Sequence, residues 1–350
     1  MLTAQSILPK ISPLDHAIDA ISRARQDSLT KPPKSLGKLE DIAVRYVRIT
    51  GNKNPKLNKK SIFVMAGDHG IAEEKVSAFP AEVTPQMVLN FLTGGAAINV
   101  LSRHAGCETK VVDMGVNYNF GMVDGLIDRK VGMGTKNFAK EAAMTEEELE
   151  KCLKVGIELA NAEADEGTDI IGIGEMGIAN TTSATAIFCA LYGLDPNEIS
   201  GKGTGLDDAG VSRKAEVIKS ALEKHVPLNS PLEVLRKVGG FEIAGLVGLV
   251  IGAASRNIPV VVDGFITTSA VAVAIELLPE VKERLFFAHI SQEQAHKKVL
   301  EKIGGDPILD LGMRLGEGSG AALSISIIEA SLKIYNEMAT FESAGVSGAS

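Results

Sequence analysis

Glu175 lies in Thr168-Asp-Ile-Ile-Gly-Ile-Gly-Glu-Met-Gly-Ile-Ala-Asn-Thr-Thr182, where an apolar run ends among three glycines and a helix-starting Asn-Thr-Thr follows. Glycine lets a backbone approach a phosphate closely, and a helix N-terminus offers unpaired N–H groups with a partial positive charge. A carboxylate repels phosphate, so Glu175 points to a second task beside anion binding. The stretch implies an α/β enzyme acting on a phosphorylated substrate.

Glu317 has a similar setting. Gly316 and Gly318 flank it, and Arg314 precedes it by three residues. As a bland reading it complements a helix dipole. Its open neighbours and the nearby fixed cation favour a place beside an anionic ligand. Gly201-Lys-Gly-Thr-Gly205 is rich in N–H donors suited to phosphate, and reads equally as a plain turn. It is no P-loop, because Lys202 is followed by Gly and no strand precedes it. Lys214, in the helix after Asp207-Asp208, is by default a solvated surface charge.

Gly172-x-Gly174-x-x-Gly177 also matches the dinucleotide fingerprint, which makes an NAD-dependent oxidoreductase the alternative. That motif needs an acidic residue ending the next strand, about 20 residues on. Asp195 has the distance but sits in the turn Tyr192-Gly-Leu-Asp-Pro196, with no strand before it. His69, His104, His289 and His296 show neither HxxxH nor HxH spacing, and no cysteine cluster helps, so no metal is expected.

These residues need elements to hold them. The strand candidates are 61–66, 109–112, 168–173, 258–262 and 285–288, with 308–311 a weaker sixth. Most are continuous apolar runs, as expected of strands covered on both faces. Helical stretches alternate with them. Thr84-Pro85 opens one, Thr145-Glu-Glu-Glu148 and Ser230-Pro-Leu-Glu233 fit the capping box, and Ser291 is a natural N-cap. The alternation predicts an α/β fold with a doubly wound, mostly parallel, Rossmann-like sheet. Before it, Ser12-Pro-Leu-Asp15 reads as a helix start followed by a stripe of Leu14, Ile18, Ile21 and Ala24. A second helix runs from about Ser35 to Gly51, and a last one from about Gly318 to Met338. The expected organisation is an α/β domain over 60–315 and a small helical domain from 1–59 plus 316–350, with a loose tail after Phe341.

Ligands of open α/β sheets bind outside the carboxyl ends of the strands. Those ends carry Asp68-His69, Asp113, Glu175, Asp263-Gly264, His289-Ile-Ser291 and Arg314–Glu317. Singly, Asp68, Asp113 and Asp263 have an equal claim as loop caps. Six polar ends on one edge make a site.

The bulk numbers agree. Net charge −8 argues against nonspecific nucleic-acid binding, and an anionic substrate then needs local cations. Trp is absent and aromatics are 4%, so the core is aliphatic. Cys107, Cys152 and Cys189 are scattered without a CxxC and read as free thiols in a reducing cytoplasm. The N-terminus has no signal-peptide pattern, and the longest apolar run, 243–255, is too short to span a bilayer.

Taken together the motifs resemble the nicotinate-nucleotide–dimethylbenzimidazole phosphoribosyltransferase family of the cobalamin pathway. The segments that carry the likeness are Lys31-Pro-Pro-Lys-Ser-Leu-Gly-Lys-Leu-Glu40, Met65-Ala-Gly-Asp-His-Gly70, Phe79-Pro-Ala-Glu-Val-Thr-Pro-Gln-Met87, Gly94–Asn99, Gly172–Thr182, Gly201–Gly205, Val262–Phe265 and Asp310–Ala321. The resemblance implies a homodimer that moves phosphoribose from nicotinate mononucleotide to 5,6-dimethylbenzimidazole without a cofactor. It implies Glu317 as the catalytic residue and Glu175 as a second pocket glutamate. Phosphate is then expected at Gly174, Gly177, Asn180, Thr181, Gly203, Thr204 and Lys214, and the base near Phe79, Gln86 and Met176. Asp263, Gly264, Ser291, Arg314 and Gly316 complete the expected pocket.

Overall fold

The computed structural model describes residues 3–203, 205–293 and 295–347, so Thr204 lies outside the described residues. Its centre is a seven-stranded sheet. The strands are β1 (Lys60–Gly67), β2 (Glu108–Gly115), β3 (Leu126–Asp128), β4 (Ile170–Met176), β5 (Val260–Val262), β6 (Leu285–His289) and β7 (Pro307–Leu309). They run in the order β3-β2-β1-β4-β5-β6-β7, and every pair is parallel. The chain winds outward from β1 one way and from β4 the other. That makes a doubly wound fold with a switch point between β1 and β4.

Alternation along β1 divides two cores. Phe63 and Met65 enter one cluster with helices 241–255 and 265–277, while Ile62, Val64 and Ala66 enter the other with helices 38–50 and 319–337. Both faces being covered explains why the strands read as unbroken apolar runs. Among the described residues no helix is long and apolar enough to cross a membrane. The run 243–255 is instead part of a helix, Phe241–Ser255, buried from Phe241 to Ala254 and packed on Glu146–Asp165.

That packing depends on glycine. A Cβ on Gly156 would lie 2.1 Å from the Gly245 carbonyl oxygen and 2.3 Å from the Leu249 nitrogen. Backbone cannot rotate away as a side chain can. Helix propensity alone favours alanine by about 1 kcal/mol, so the sign of a substitution reports the packing. Gly156→Ala is expected to lower stability by about 1–3 kcal/mol or more. A urea midpoint equal to or above that of the parent protein would contradict it.

The two chain ends meet. The Arg25 guanidinium donates to the carbonyls of Tyr335 (3.1 Å) and Met338 (3.1 Å), and Ser331 Oγ donates to the Leu39 carbonyl. Helix 319–337 also lies on the sheet, so the chain-end helices share one core cluster with β1. We propose the division into 60–315 and 1–59 plus 316–350 as a description of chain organisation, with that shared core as the contact between the parts.

Several local expectations need correction. The first helix starts at Ile18, because Asp15 Oδ1 caps the Ala17 N–H at 2.9 Å and the Ser12 carbonyl receives Arg284. Its buried face is Ile18, Ser22 and Gln26, while Ile21 and Ala24 are exposed. β3 carries no strong sequence signal and is absent from the expected strands. The tail forms a short helix, Phe341–Ala344, capped by Thr340. Ser291 starts no helix: that helix begins at His296, and Ser291 Oγ accepts from Glu293 N–H at 3.3 Å in a turn. The capping box at Thr145 forms as expected.

Candidate active site

A cavity of about 440 Å³ opens at the carboxyl ends of β4, β5 and β6. Glu175 and Glu317 both line it, and so do Phe79, Met176, Gly177, Asn180, Thr181, Gly203, Gly264, Ser291, Arg314 and Gly316.

Glu317 is presented by an unusual backbone. Gly316, Glu317 and Gly318 have φ of 85°, 65° and 88°, three left-handed residues in succession. For glutamate this costs about 1–2 kcal/mol, and the surroundings must enforce it. Asp263, at the end of β5, does so. Its carboxylate accepts the N–H groups of Gly318 (3.1 Å), Gly320 (2.6 Å) and Ala321 (3.1 Å), capping helix 319–337 from another strand. The negative charge also complements the helix dipole. β4 supplies the floor: a Cβ on Gly174 would lie 2.4 Å from Glu317 C and 2.4 Å from Gly318 N. Gly174 and Asp263 therefore do not line the cavity, contrary to expectation; they shape the turn that carries Glu317.

The two glutamates are close. A Cβ on Gly316 would meet Glu175 Oε1 at 2.6 Å. Burial pushes Glu175 up to about 8, against a hydrogen bond from Asn180 and with help from Asp263, Glu242 and Glu317. Burial likewise raises Glu317, opposed by the Ile98 N–H at the start of helix 97–105. Glu317 Oε2 has no hydrogen-bond partner among the described residues. Asp263 is pushed up to about 7 by burial despite its three N–H donors.

A cationic corner lies beside them. Lys214 is fully buried, which corrects its reading as a solvated charge. Its Nζ donates to Thr181 Oγ1 at 2.9 Å and sits 3.4 Å from the Gly201 carbonyl oxygen, directly behind cavity residues Thr181 and Gly203. Burial lowers its pKa to about 8, with Glu293 opposing. Gly177 approaches closely too, since a Cβ there would lie 2.3 Å from the Gly67 carbonyl oxygen. Behind it, His69 bridges Glu242 (2.7 Å) and Ser183 (2.9 Å); all three are buried, and the array braces the start of helix 180–192.

Phe79, Met176, Ile178, Phe265, Ile266 and Leu315 give the cavity its apolar walls. Gln86 is not among the lining residues: helix 83–92 buries Thr84, Val88 and Phe91 and leaves Gln86 exposed. His289, one of the polar strand ends expected at the site, lines the cavity, and so do Ile178, Phe265, Ile266, Glu293 and Leu315, which were not among the expected residues. The apolar ones look like ordinary core in sequence, and Glu293 like a surface charge. Ser291 and Gly264 are held by one relay. Ser291 N–H donates to His296 Nδ1 (2.8 Å), so His296 Nε2 carries the proton toward Thr268 Oγ1 (3.0 Å), which donates to the Gly264 carbonyl (2.6 Å). Burial holds His296 neutral, with its pKa lowered to about 3.

The dinucleotide alternative fails on geometry. Gly172 and Gly174 are inside β4, not in a turn after it, and Ile62, Ala321 and the Glu317 backbone fill the space beside them. Asp195 caps a short helix through Asn197 N–H at 2.9 Å.

A doubly wound parallel sheet with paired carboxylates in a cavity at its carboxyl edge has the architecture of an α/β enzyme. The phosphoribosyltransferase family model DBI_PRT matches residues 11–346, and the chain belongs to that family of pentosyltransferases. It is 54% identical over 343 residues, 98% of each chain, to a protein of Geobacter sp. (strain M21) named nicotinate-nucleotide–dimethylbenzimidazole phosphoribosyltransferase. A protein of the same name from Chlorobaculum parvum is 54% identical over 345 residues, again 98% of each chain. A crystal structure of the Thermus thermophilus protein so named superposes with TM-score 0.90 at 42% identity, covering 96% of this chain and all of that one.

Proposed function

We propose that this protein transfers the 5-phosphoribosyl group of nicotinate mononucleotide to 5,6-dimethylbenzimidazole, giving α-ribazole 5′-phosphate and nicotinate in the lower-ligand step of cobalamin biosynthesis. The observation that carries the reading is the pair Glu317–Glu175 in one cavity with the Lys214 corner behind its wall. Nicotinate leaves from a quaternary pyridinium nitrogen, so the electron pair of the broken C1′–N bond neutralises it and no general acid is needed. The attacking benzimidazole nitrogen bonds to C1′ and gains positive charge. Glu317 takes the proton from its other nitrogen, which is general base catalysis. Attack on the face opposite the leaving group converts the β-nucleotide to the α-product. Glycine N–H groups, Thr181 and Lys214 hold the phosphate and align the sugar. The same reading makes the protein a cytoplasmic homodimer.

Incubation with nicotinate mononucleotide tests this. Nicotinate release is expected only when dimethylbenzimidazole is also present. Release without the base would make the protein a hydrolase and sink the reading.

Lys214→Met is expected to raise KM for the mononucleotide at least tenfold and leave that for the base within about twofold, a charge-assisted contact being worth ~1.5–3 kcal/mol. The Lys214 cation is lost as pH rises through its lowered value of about 8. The wild-type KM for the mononucleotide should therefore climb above that pH, and the climb should be absent from Lys214→Met. Equal changes in both KM values would contradict the assignment. Phe79 and Met176 form the base wall in this reading. The double variant Phe79→Ala, Met176→Ala should blur selectivity among benzimidazoles, and unchanged relative kcat/KM values would remove them from that role.

A further inference from the structure

The geometry points to His289 as a ligand of the donor's ribose hydroxyls, a specificity-determining residue at the cavity's far end. This inference rests on the phosphoribosyl-transfer reading of the site.

His289 ends β6, is 1% exposed, and lines the cavity. Neither of its ring nitrogens has a hydrogen-bond partner among the described residues. Its near polar neighbours fall short of bonding: Asp263 Oδ1 is 3.9 Å from Nδ1, and the Asp263 main chain lies close without meeting hydrogen-bond geometry. A buried imidazole left so carries a desolvation penalty, which a ligand that bonds it would recover. The other buried histidine of this corner, His296, has both nitrogens engaged.

Register places His289 relative to the chemistry. Ile173 of β4 pairs with Val262 of β5, and Val262 pairs with Phe287 of β6. Two residues further along each strand come Glu175, Gly264 and His289, so the three stand level. Glu175 and His289 are two strand spacings apart, roughly 10 Å. That span fits a ribose lying between the glutamate pair and the imidazole.

Chemistry selects hydroxyls over the donor's anionic groups. Burial holds Glu175 and Asp263 toward their neutral, protonated forms, so this part of the site presents hydrogen-bonding groups rather than fixed charge. The buried lysine, on helix 208–225, sits behind Thr181 and Gly203 and not at β6. Burial lowers the pKa of His289, keeping it neutral, with one N–H donor and one lone pair. A hydroxyl both donates and accepts, and so matches a neutral imidazole; phosphate and carboxylate only accept.

The test compares nicotinate mononucleotide with its 2′-deoxy and 3′-deoxy analogues as donors, for wild type, His289→Ala and His289→Phe. Wild type is expected to favour the ribonucleotide over at least one deoxy donor by ~10- to 100-fold in kcat/KM. Both variants should lose that preference, to within about twofold, chiefly by losing activity on the ribonucleotide. Each ratio is taken within one variant, so partial destabilisation cancels. If a variant folds too poorly for turnover, the same ratio is read from equilibrium binding of the donors to the other. A preference kept intact by the variants, or a wild type blind to both deletions, overturns the assignment. Failure of wild type to transfer from nicotinate mononucleotide at all overturns the functional reading instead.

Discussion

Glu317→Gln is expected to cut kcat by ~10²- to 10⁴-fold, or roughly 3–5 kcal/mol of barrier, with mononucleotide binding nearly unchanged. Glutamine keeps the size and the left-handed loop but cannot accept the proton. The proposed phosphate contacts lie elsewhere, at Thr181, Gly203 and Lys214, so affinity should survive. The folding stability of the variant should rise or hold, because a buried carboxyl already raised by burial is replaced by a neutral amide. Stopped-flow or steady-state rates against calorimetric binding of the mononucleotide separate the two effects. Retention of most of the turnover would transfer the base to Glu175, the other carboxyl in reach.

Gly174→Ala should be nearly as damaging while touching no substrate. Its Cβ would overlap Glu317 C at 2.4 Å and Glu317 O at 2.5 Å, backbone against backbone. The turn must shift by about an ångström, and such a misplacement of a reacting group costs on the order of 10²-fold. Overpacking should add about 1–3 kcal/mol of destabilisation. The decisive feature is non-additivity. In the Glu317→Gln background, Gly174→Ala should cost little further rate, since the group it displaces no longer works. Full additivity of the two rate losses would show that Gly174 acts through something other than Glu317.

The sheet was legible because its signals are local. Continuous apolar runs marked β1, β4 and β6, and glycine-flanked carboxylates marked Glu175 and Glu317. Six of the seven strands were placed within a few residues, and β4 extends past the expected end so that Glu175 lies inside it. What failed was long-range. Asp263 looks the same in sequence whether it faces a ligand or caps a helix more than fifty residues later. Lys214 looks like any surface lysine until helix 208–225 is seen to turn it inward against Thr181. Gln86 came from the resemblance alone, and helix 83–92 leaves it exposed and outside the cavity lining. Ile178, Ile266 and Leu315 are apolar residues that follow strands or loops, and only closure of the cavity distinguishes them from core.

The pH dependence of kcat, for wild type and Glu317→Gln side by side with saturating mononucleotide and base, tests the central claim most directly. A general base works when deprotonated, so wild-type kcat should fall as pH drops through the pKa of Glu317. Burial raises that pKa, and the fall should begin above the ordinary glutamate value of 4.5. In Glu317→Gln the acid limb should be gone and the residual rate flat through that range. An acid limb that persists unchanged in the variant would contradict Glu317 as the proton acceptor.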